Sequence, residues 1–372
     1  MNEFMAENLA RQKSGGRFVE EWPTSVIPIA SVAHPGAARA LSQVSAAQAA
    51  LPETAGAVGG SDPPGLDFAL AVARGLSDIP RRLDSRYLYD SRGSQIFEDI
   101  CKQPEYYLTR AEATILAAAA GDIADKTGNV TLVELGSGSS IKTQILLDAF
   151  VSAYGSVDYR PIDVSASILE QAENEISARL PAVNVEALNC TYDDAFPHLA
   201  SLSPAMLLFL GSSAGNLDSG ESDHFWENVS TNLQAGDYCL LGIDINEDPR
   251  SLHAAYNDAA GHSAAFTRNL FARMNRELGA SIDTGGIDHV ARYVSRWRRV
   301  EIFARFNQGQ RIDIVLLGSS FGIGHGELIL TEVGRKFRLR QMVPYLCTFG
   351  LSAERIYTDP GRRFAVLLLK KI

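Results

Sequence analysis

Between residues 131 and 244 the chain alternates short apolar runs, TLVEL, DYRPIDV, NVEAL, AMLLFL and DYCLLGID, with helical patterns. Runs this short and this apolar suit strands covered on both faces, and helices returning between them join such strands in parallel. The clearest helix is ASILEQAENEISARL, which puts Ile168, Leu169, Ala172, Ile176 and Leu180 on one face. Asp218, three residues before Glu221, caps a second helix that carries Phe225, Val229 and Leu233. The fold class that follows is α/β, with a doubly wound, mostly parallel sheet.

The rest of the 372 residues must be arranged around that sheet, and a length of this kind favours about two domains. Residues 1–64 are rich in Ala, Gly, Ser and Pro and read as a flexible extension with one short helix near 37–50. LDFALAVARGL, with Leu66, Ala69, Val72 and Leu76, and RAEATILAAAAGDIA are helical. The tyrosine-bearing segment between them should shape a surface rather than fill a core. A long helical insert is expected over 247–280, followed by basic alternating strands, a glycine-rich turn GSSFGIGHGE and a last strand FAVLLLK. The expected division is a sheet domain from 111–246 with 337–372, and a second domain from 65–110 with 247–336.

A net charge of −10 and a pI near 5.3 oppose nucleic acid and anionic lipid as partners. The stretch RYVSRWRRVEIFARF, with Arg292, Arg296, Arg298, Arg299 and Arg305, is the local exception, and its alternation reads as one wet face of a sheet. Cys101, Cys190, Cys239 and Cys347 are scattered, as in a reducing cytoplasm, without a zinc-type pair. The longest apolar stretch near the N-terminus, SVIPIASV, is too short to span a bilayer. His253 and His262 do not share a helix face, so with Asp258 they make no metal site. No oligomeric state follows from the sequence.

VELGSGSSIK follows the first run. Gly136 and Gly138 let a ligand lie against the main chain at the carboxyl end of the strand, and the next helix points its positive end there. A dinucleotide loop would carry a third glycine where Ile141 stands. Glu134 beside the loop favours a cationic ligand, and Asp163, closing the second run, could grip ribose hydroxyls. S-adenosylmethionine suits that field. On these residues a methyltransferase, a dinucleotide enzyme and a purely structural tight turn all stay open.

YLYDSRGSQIFEDICKQPEYYLTRAEATIL, VELGSGSSIKTQILLDAF, PIDVSASILEQA, LFLGSSAGNLD, AAYNDAAGHSAAFTRNLFARMNRELGA and LTEVGRKF resemble, in order, the motifs of the histidine-specific N-alpha-methyltransferases of ergothioneine biosynthesis. The resemblance covers about 66–372. It implies a class I methyltransferase sheet, Rossmann-like, with an inserted α+β domain that binds a free amino acid. It assigns Asn216 and Tyr256 to the substrate carboxylate, Tyr89 and the Gly211 main chain to the amine being methylated, Tyr106 to a side-chain contact and Glu332 to the imidazole. Gly136, Lys142 and Asp163 are matched to S-adenosylmethionine, with Glu134 and Gly138 beside them. An amide and a phenol would hold the carboxylate without a positive charge near the sulfonium. Three departures stand out: Gly334 replaces a serine, Ile302 replaces a methionine, and Thr191 with Tyr192 replaces an Asp-Phe pair at the adenine. The expected substrate is L-histidine; arginine, an indole amino acid, or a binding module without turnover are the alternatives.

Overall fold

The computed structural model describes residues 65–372, all within one compact unit, so the extension expected at 1–64 lies outside the described residues. Helices α1 (Leu66–Ser77), α2 (Ser91–Cys101) and α3 (Tyr107–Thr127) come first. Then β1 (Thr131–Leu135), α4 (Thr143–Tyr154), β2 (Val157–Asp163), α5 (Ala166–Arg179), β3 (Val183–Val185), β4 (Leu188–Asn189) and the single turn α6 (Tyr192–Ala195) alternate. They lead to β5 (Ala205–Phe209), α7 (Ser219–Asn232) and β6 (Tyr238–Asp244). Next are α8 (Pro249–Ala255), α9 (His262–Leu278), β7 (Ile287–Val294), β8 (Arg299–Phe306), β9 (Gln310–Ile314), β10 (Ser319–Ile323) and β11 (Leu328–Arg335). The chain closes with α10 (Leu339–Cys347), β12 (Leu351–Thr358) and β13 (Phe364–Lys371).

The main sheet has the order β12-β13-β6-β5-β1-β2-β3, with β4 also paired to β2. β1, β2, β5 and β6 run parallel, whereas β13 is antiparallel to both β6 and β12. Alternate residues feed two cores. Leu132, Met206, Leu208, Leu240, Val366 and Leu368 face one way. Val133, Leu207, Phe209, Cys239, Leu241 and Leu367 face the other. That period of two, with both faces apolar, is why these runs read as continuous hydrophobic segments. The capping box at Asp218 and Glu221 forms as expected and starts α7.

Several boundaries differ from the sequence reading. NVEAL breaks into β3 and β4, both of which pair with β2. The insert is two helices: Gly261, at φ 81, turns the chain, and Asp258 accepts from the His262 and Ser263 N–H groups at the start of α9. The glycine-rich segment contains β10, because Ser319, Phe321 and Ile323 alternate inward and the strand pairs with β9. The tyrosines thought to shape a surface are in part internal: Tyr87, Tyr106 and Tyr107 are buried.

A second, antiparallel sheet, β11-β8-β7, stands apart from the first. Three of its arginines are paired within the sheet: Arg292 and Arg299 both bind the buried Glu301, and Arg305 binds Asp288. β11 carries a bulge at Thr331, the extra residue between the pairs Leu330–Phe303 and Glu332–Ile302. A bulge re-aims the side chains beyond it.

Candidate active site

The carboxyl ends of β1, β2 and β5 converge on the glycine loop. Gly136, Gly138 and Ser140 all have positive φ (65, 52 and 54), a conformation that glycine adopts without strain and serine does not. A Cβ on Gly136 would come within 2.6 Å of the Tyr192 hydroxyl, so this glycine is required by close approach as well. Asp163 accepts from the Gly138 N–H at 3.0 Å and from the Ser165 N–H at 2.9 Å. Burial raises its pKa, and those N–H groups oppose the rise.

Glu134 is buried behind the loop rather than open to it. Thr143 donates to its carboxylate at 2.7 Å and Tyr159 donates to the other oxygen. Burial still pushes its pKa up to about 7. Tyr192 packs edge-on against Phe209 and Phe225, with centroids 5.8 and 6.2 Å away, and Thr191 caps the short α6 through the Asp194 N–H.

Beyond β5, Gly211 (φ 75) and Ser212 (φ 63) turn the chain sharply into a short 3-10 turn that ends at Asn216. Glu112, fully buried on α3, accepts the Gly211 N–H with both oxygens, at 2.8 and 3.0 Å, and also binds the Lys142 ammonium. Burial alone would lower the pKa of Lys142, but the Glu112 charge and hydrogen bond, with the further negative groups around it, together outweigh burial and the pKa is raised. With its N–H committed, Gly211 has only its carbonyl to offer an amine. Glu112 fits because Gly242 leaves room: a Cβ there would lie 2.0 Å from its Oε1.

The β11 sheet closes the site from the other side. Gly215 has no side chain to obstruct it, and the Arg335 carbonyl would stand 3.0 Å from a Cβ there. Glu332 and Gly334 share one face of β11, and Lys336, just past the strand end, reaches the same side, its Nζ 3.6 Å from where a Cβ on Gly334 would be. Asn216 Nδ2 lies 3.5 Å from Glu332 Oε1, and Ile302 pairs with Glu332 across the ladder. Burial pushes the Glu332 pKa up to about 7. A Cβ on Gly334 would reach the Tyr256 hydroxyl at 3.0 Å. The fourth wall is aromatic. Tyr89 meets Phe97 and Phe266 at 5.4 and 5.3 Å, and Tyr106 meets Phe97 and Tyr256 at 6.2 Å each. Burial, with Glu332 next, raises the Tyr89 pKa well above the usual phenol value, so its hydroxyl stays protonated.

A family model described as histidine-specific methyltransferase, SAM-dependent, matches residues 68–371. The chain belongs to this family. It is 38% identical over 297 residues to a histidine N-alpha-methyltransferase of Mycolicibacterium smegmatis, covering 80% of this chain and 92% of that one. It is 36% identical over 312 residues to the protein of the same name from Mycobacterium tuberculosis, covering 84% and 97%. A 4-dimethylallyltryptophan N-methyltransferase of Epichloe festucae var. lolii is 27% identical over 327 residues, covering 80% and 93%. The methyltransferase is therefore S-adenosylmethionine-dependent, and its sheet order is that of the class I fold.

The loop of the methyltransferase fits that cofactor. Ser137 Oγ is buried without a hydrogen-bond partner, and a Cβ on the neighbouring Gly138 would meet nothing within 4 Å, so the loop offers both an unused donor and open space. The expected residues fall in two groups: Glu134, Gly136, Gly138, Lys142, Asp163, Thr191 and Tyr192 around the loop, and Tyr89, Tyr106, Asn216, Tyr256, Ile302, Glu332 and Gly334 beyond it, with Gly211 between them. Glu112, Phe97, Phe266 and Lys336 were missed. Glu112 had a signal, an acid in the apolar stripe of α3 between Ala111 and Ile115. Lys336 had one too, an even spacing of four residues from Glu332 at the end of β11. Among the described residues no group is placed to hold a metal ion, and no helix is long and apolar enough to cross a membrane.

Proposed function

We propose that this methyltransferase acts on the α-amine of free L-histidine. The observation that carries the reading is the meeting of Asn216, from the turn after β5, with Glu332 on β11 at 3.5 Å, beside the Tyr256 hydroxyl. An amide and a phenol suit a carboxylate, and an acid beyond them suits an imidazole N–H. The names of the bacterial relatives support the same substrate. In this reading residues 111–246 with 337–372 form the cofactor domain and residues 65–110 with 247–336 the amino-acid domain, with Gly211 and Asn216 reaching the amino acid from the cofactor side.

S-adenosylmethionine supplies an electrophilic methyl on a sulfonium. Asp163 and the Gly136–Gly138 main chain would hold its ribose and backbone, with Lys142 and Glu112 fixing the floor. The chain's own work is orientation: Asn216 and Tyr256 fix the carboxylate, and the Gly211 carbonyl and the Tyr89 oxygen accept from the amine. The amine lone pair is then left to face the donor. The Tyr89 phenol stays protonated, so no phenolate base is available at neutral pH, and the amine, mostly protonated in free solution, loses its proton to solvent. The cytoplasm is the compartment we propose, supported by four free, widely spaced cysteines.

A second reading keeps the reaction and widens the side chain. Gly334 and Ile302 shape the pocket beside Glu332, and a relative named for an indole amino acid aligns over most of the chain. Amino acids incubated singly with methyl-labelled cofactor separate the readings. Transfer to histidine is the expected result; transfer to tryptophan or arginine and not to histidine would overturn it.

A further inference from the structure

The carboxylate clamp has a cation behind it, contrary to the expectation of a clamp without positive charge. Lys336 Nζ lies 2.7 Å from the Tyr256 oxygen and 2.8 Å from Asp244 Oδ2, and the two charged side chains are 1% and 0% exposed. Asp244 is itself fixed: its Oδ2 accepts from the Tyr107 hydroxyl at 2.7 Å and its Oδ1 from the Asn246 N–H at 2.9 Å. Burial works against the ammonium, but the Asp244 charge and Tyr256, with the hydrogen bonds to both, together outweigh it and raise the Lys336 pKa, so the lysine stays charged. An ammonium only donates, so the Tyr256 oxygen is the acceptor in this bond. The phenol proton must then point elsewhere, and the hydroxyl opens onto the space over Gly334, beside Glu332 and Asn216. The tyrosine main chain is held as well, since His289 Nε2 lies 2.8 Å from its carbonyl and Nδ1 lies 2.8 Å from the Thr267 hydroxyl.

We infer that Lys336 is a positioning residue for the substrate carboxylate: it fixes Tyr256 as a hydrogen-bond donor, while Asp244 cancels its charge. This rests on the amino-acid reading above. The arrangement reconciles two demands. A carboxylate gains a donor polarised by an ammonium, and the neighbouring sulfonium faces no net charge from the pair. It also makes a free carboxylate, rather than an amide or ester, the group the site selects, because an amide presents less negative charge to the phenol and brings N–H groups of its own.

The test is the ratio of kcat/KM for histidine over histidinamide in the full-length enzyme, measured beside calorimetric binding of S-adenosylhomocysteine. Lys336→Met paired with Asp244→Asn removes both charges and avoids a stranded buried carboxylate. The ratio should fall about tenfold or more through KM for histidine, the size expected when a charge-assisted bond is lost. Affinity for S-adenosylhomocysteine should hold within about twofold if the effect is local. Lys336→Arg retains a cationic donor and should keep most of the preference. An unchanged ratio in the folded pair variant, or an equal loss of cofactor-analogue affinity, would overturn the inference. If the pair variant does not fold, the arginine variant decides, and a ratio collapsed as far as tenfold or more there sinks it. A wild-type enzyme that methylates no amino acid would overturn the parent reading and this one with it.

Discussion

On the proposed reading, Glu332 is the titrating group that faces the substrate side chain. Its carboxyl is pushed from the ordinary range up to about 7 by burial, so below that pH it is protonated and offers an imidazole N–H only a neutral acceptor. A raised carboxyl pKa means the charged acceptor is gained as pH rises through about 7. The kcat/KM of wild type divided by that of Glu332→Gln should therefore climb with pH through about 7 and level off above it, because the free substrate's own titrations cancel in the ratio. A flat ratio would show that the carboxyl does not titrate there. Residues of this kind were legible because their motifs name them: Asn216 in GNL, Tyr256 in AAYNDAA, Glu332 in LTEVG. What Lys336 does was not legible. A lysine two positions past a glycine in a strand reads as a solvated charge until the opposite wall is known, and that wall, Asp244 and Tyr256, comes from the end of β6 and from the residue after α8.

At the scale of elements, the floor between cofactor and substrate is a contact between a helix and a strand. α3 delivers Glu112 to the Gly211 N–H and to Lys142, and β6 admits it by having no side chain at Gly242. Gly242→Ala should expel the carboxylate, free the turn after β5 and lower kcat about a hundredfold, as misplacement of roughly 1 Å does in a site that works by orientation. Steady-state kinetics on a variant shown to be folded by its circular dichroism checks this, and an unchanged kcat would contradict it. The short, continuously apolar runs of β1, β5 and β6 announced the sheet, because a strand covered on both faces is apolar throughout. The break of NVEAL into β3 and β4 and the strand inside GSSFGIGHGE were hidden, since which edges pair depends on partners distant in sequence. The two helices of the 247–280 insert could have been separated at the Asp258–Gly261 cap, a local signal that lay within the quoted motif.

Across the whole molecule, one side of the site is a class I sheet that brings a loop, an acid and a lysine to the carboxyl ends of its strands. The other is a smaller antiparallel sheet whose bulged strand β11 carries Glu332 and Gly334, with Lys336 just past its end. The aromatic wall of Tyr89, Phe97, Tyr106 and Phe266 joins them. If Asn216 and Tyr256 clamp the carboxylate as proposed, a single nitrogen is left in line with the donor, and which nitrogen is methylated becomes the deciding fact. The direct measurement uses cofactor with a carbon-13 methyl group, the full-length enzyme and free L-histidine, followed by long-range carbon–proton correlation on the product. The account predicts that the transferred methyl correlates with the α-proton position of histidine. Correlation with the imidazole ring protons instead, or label that never reaches histidine, would contradict it.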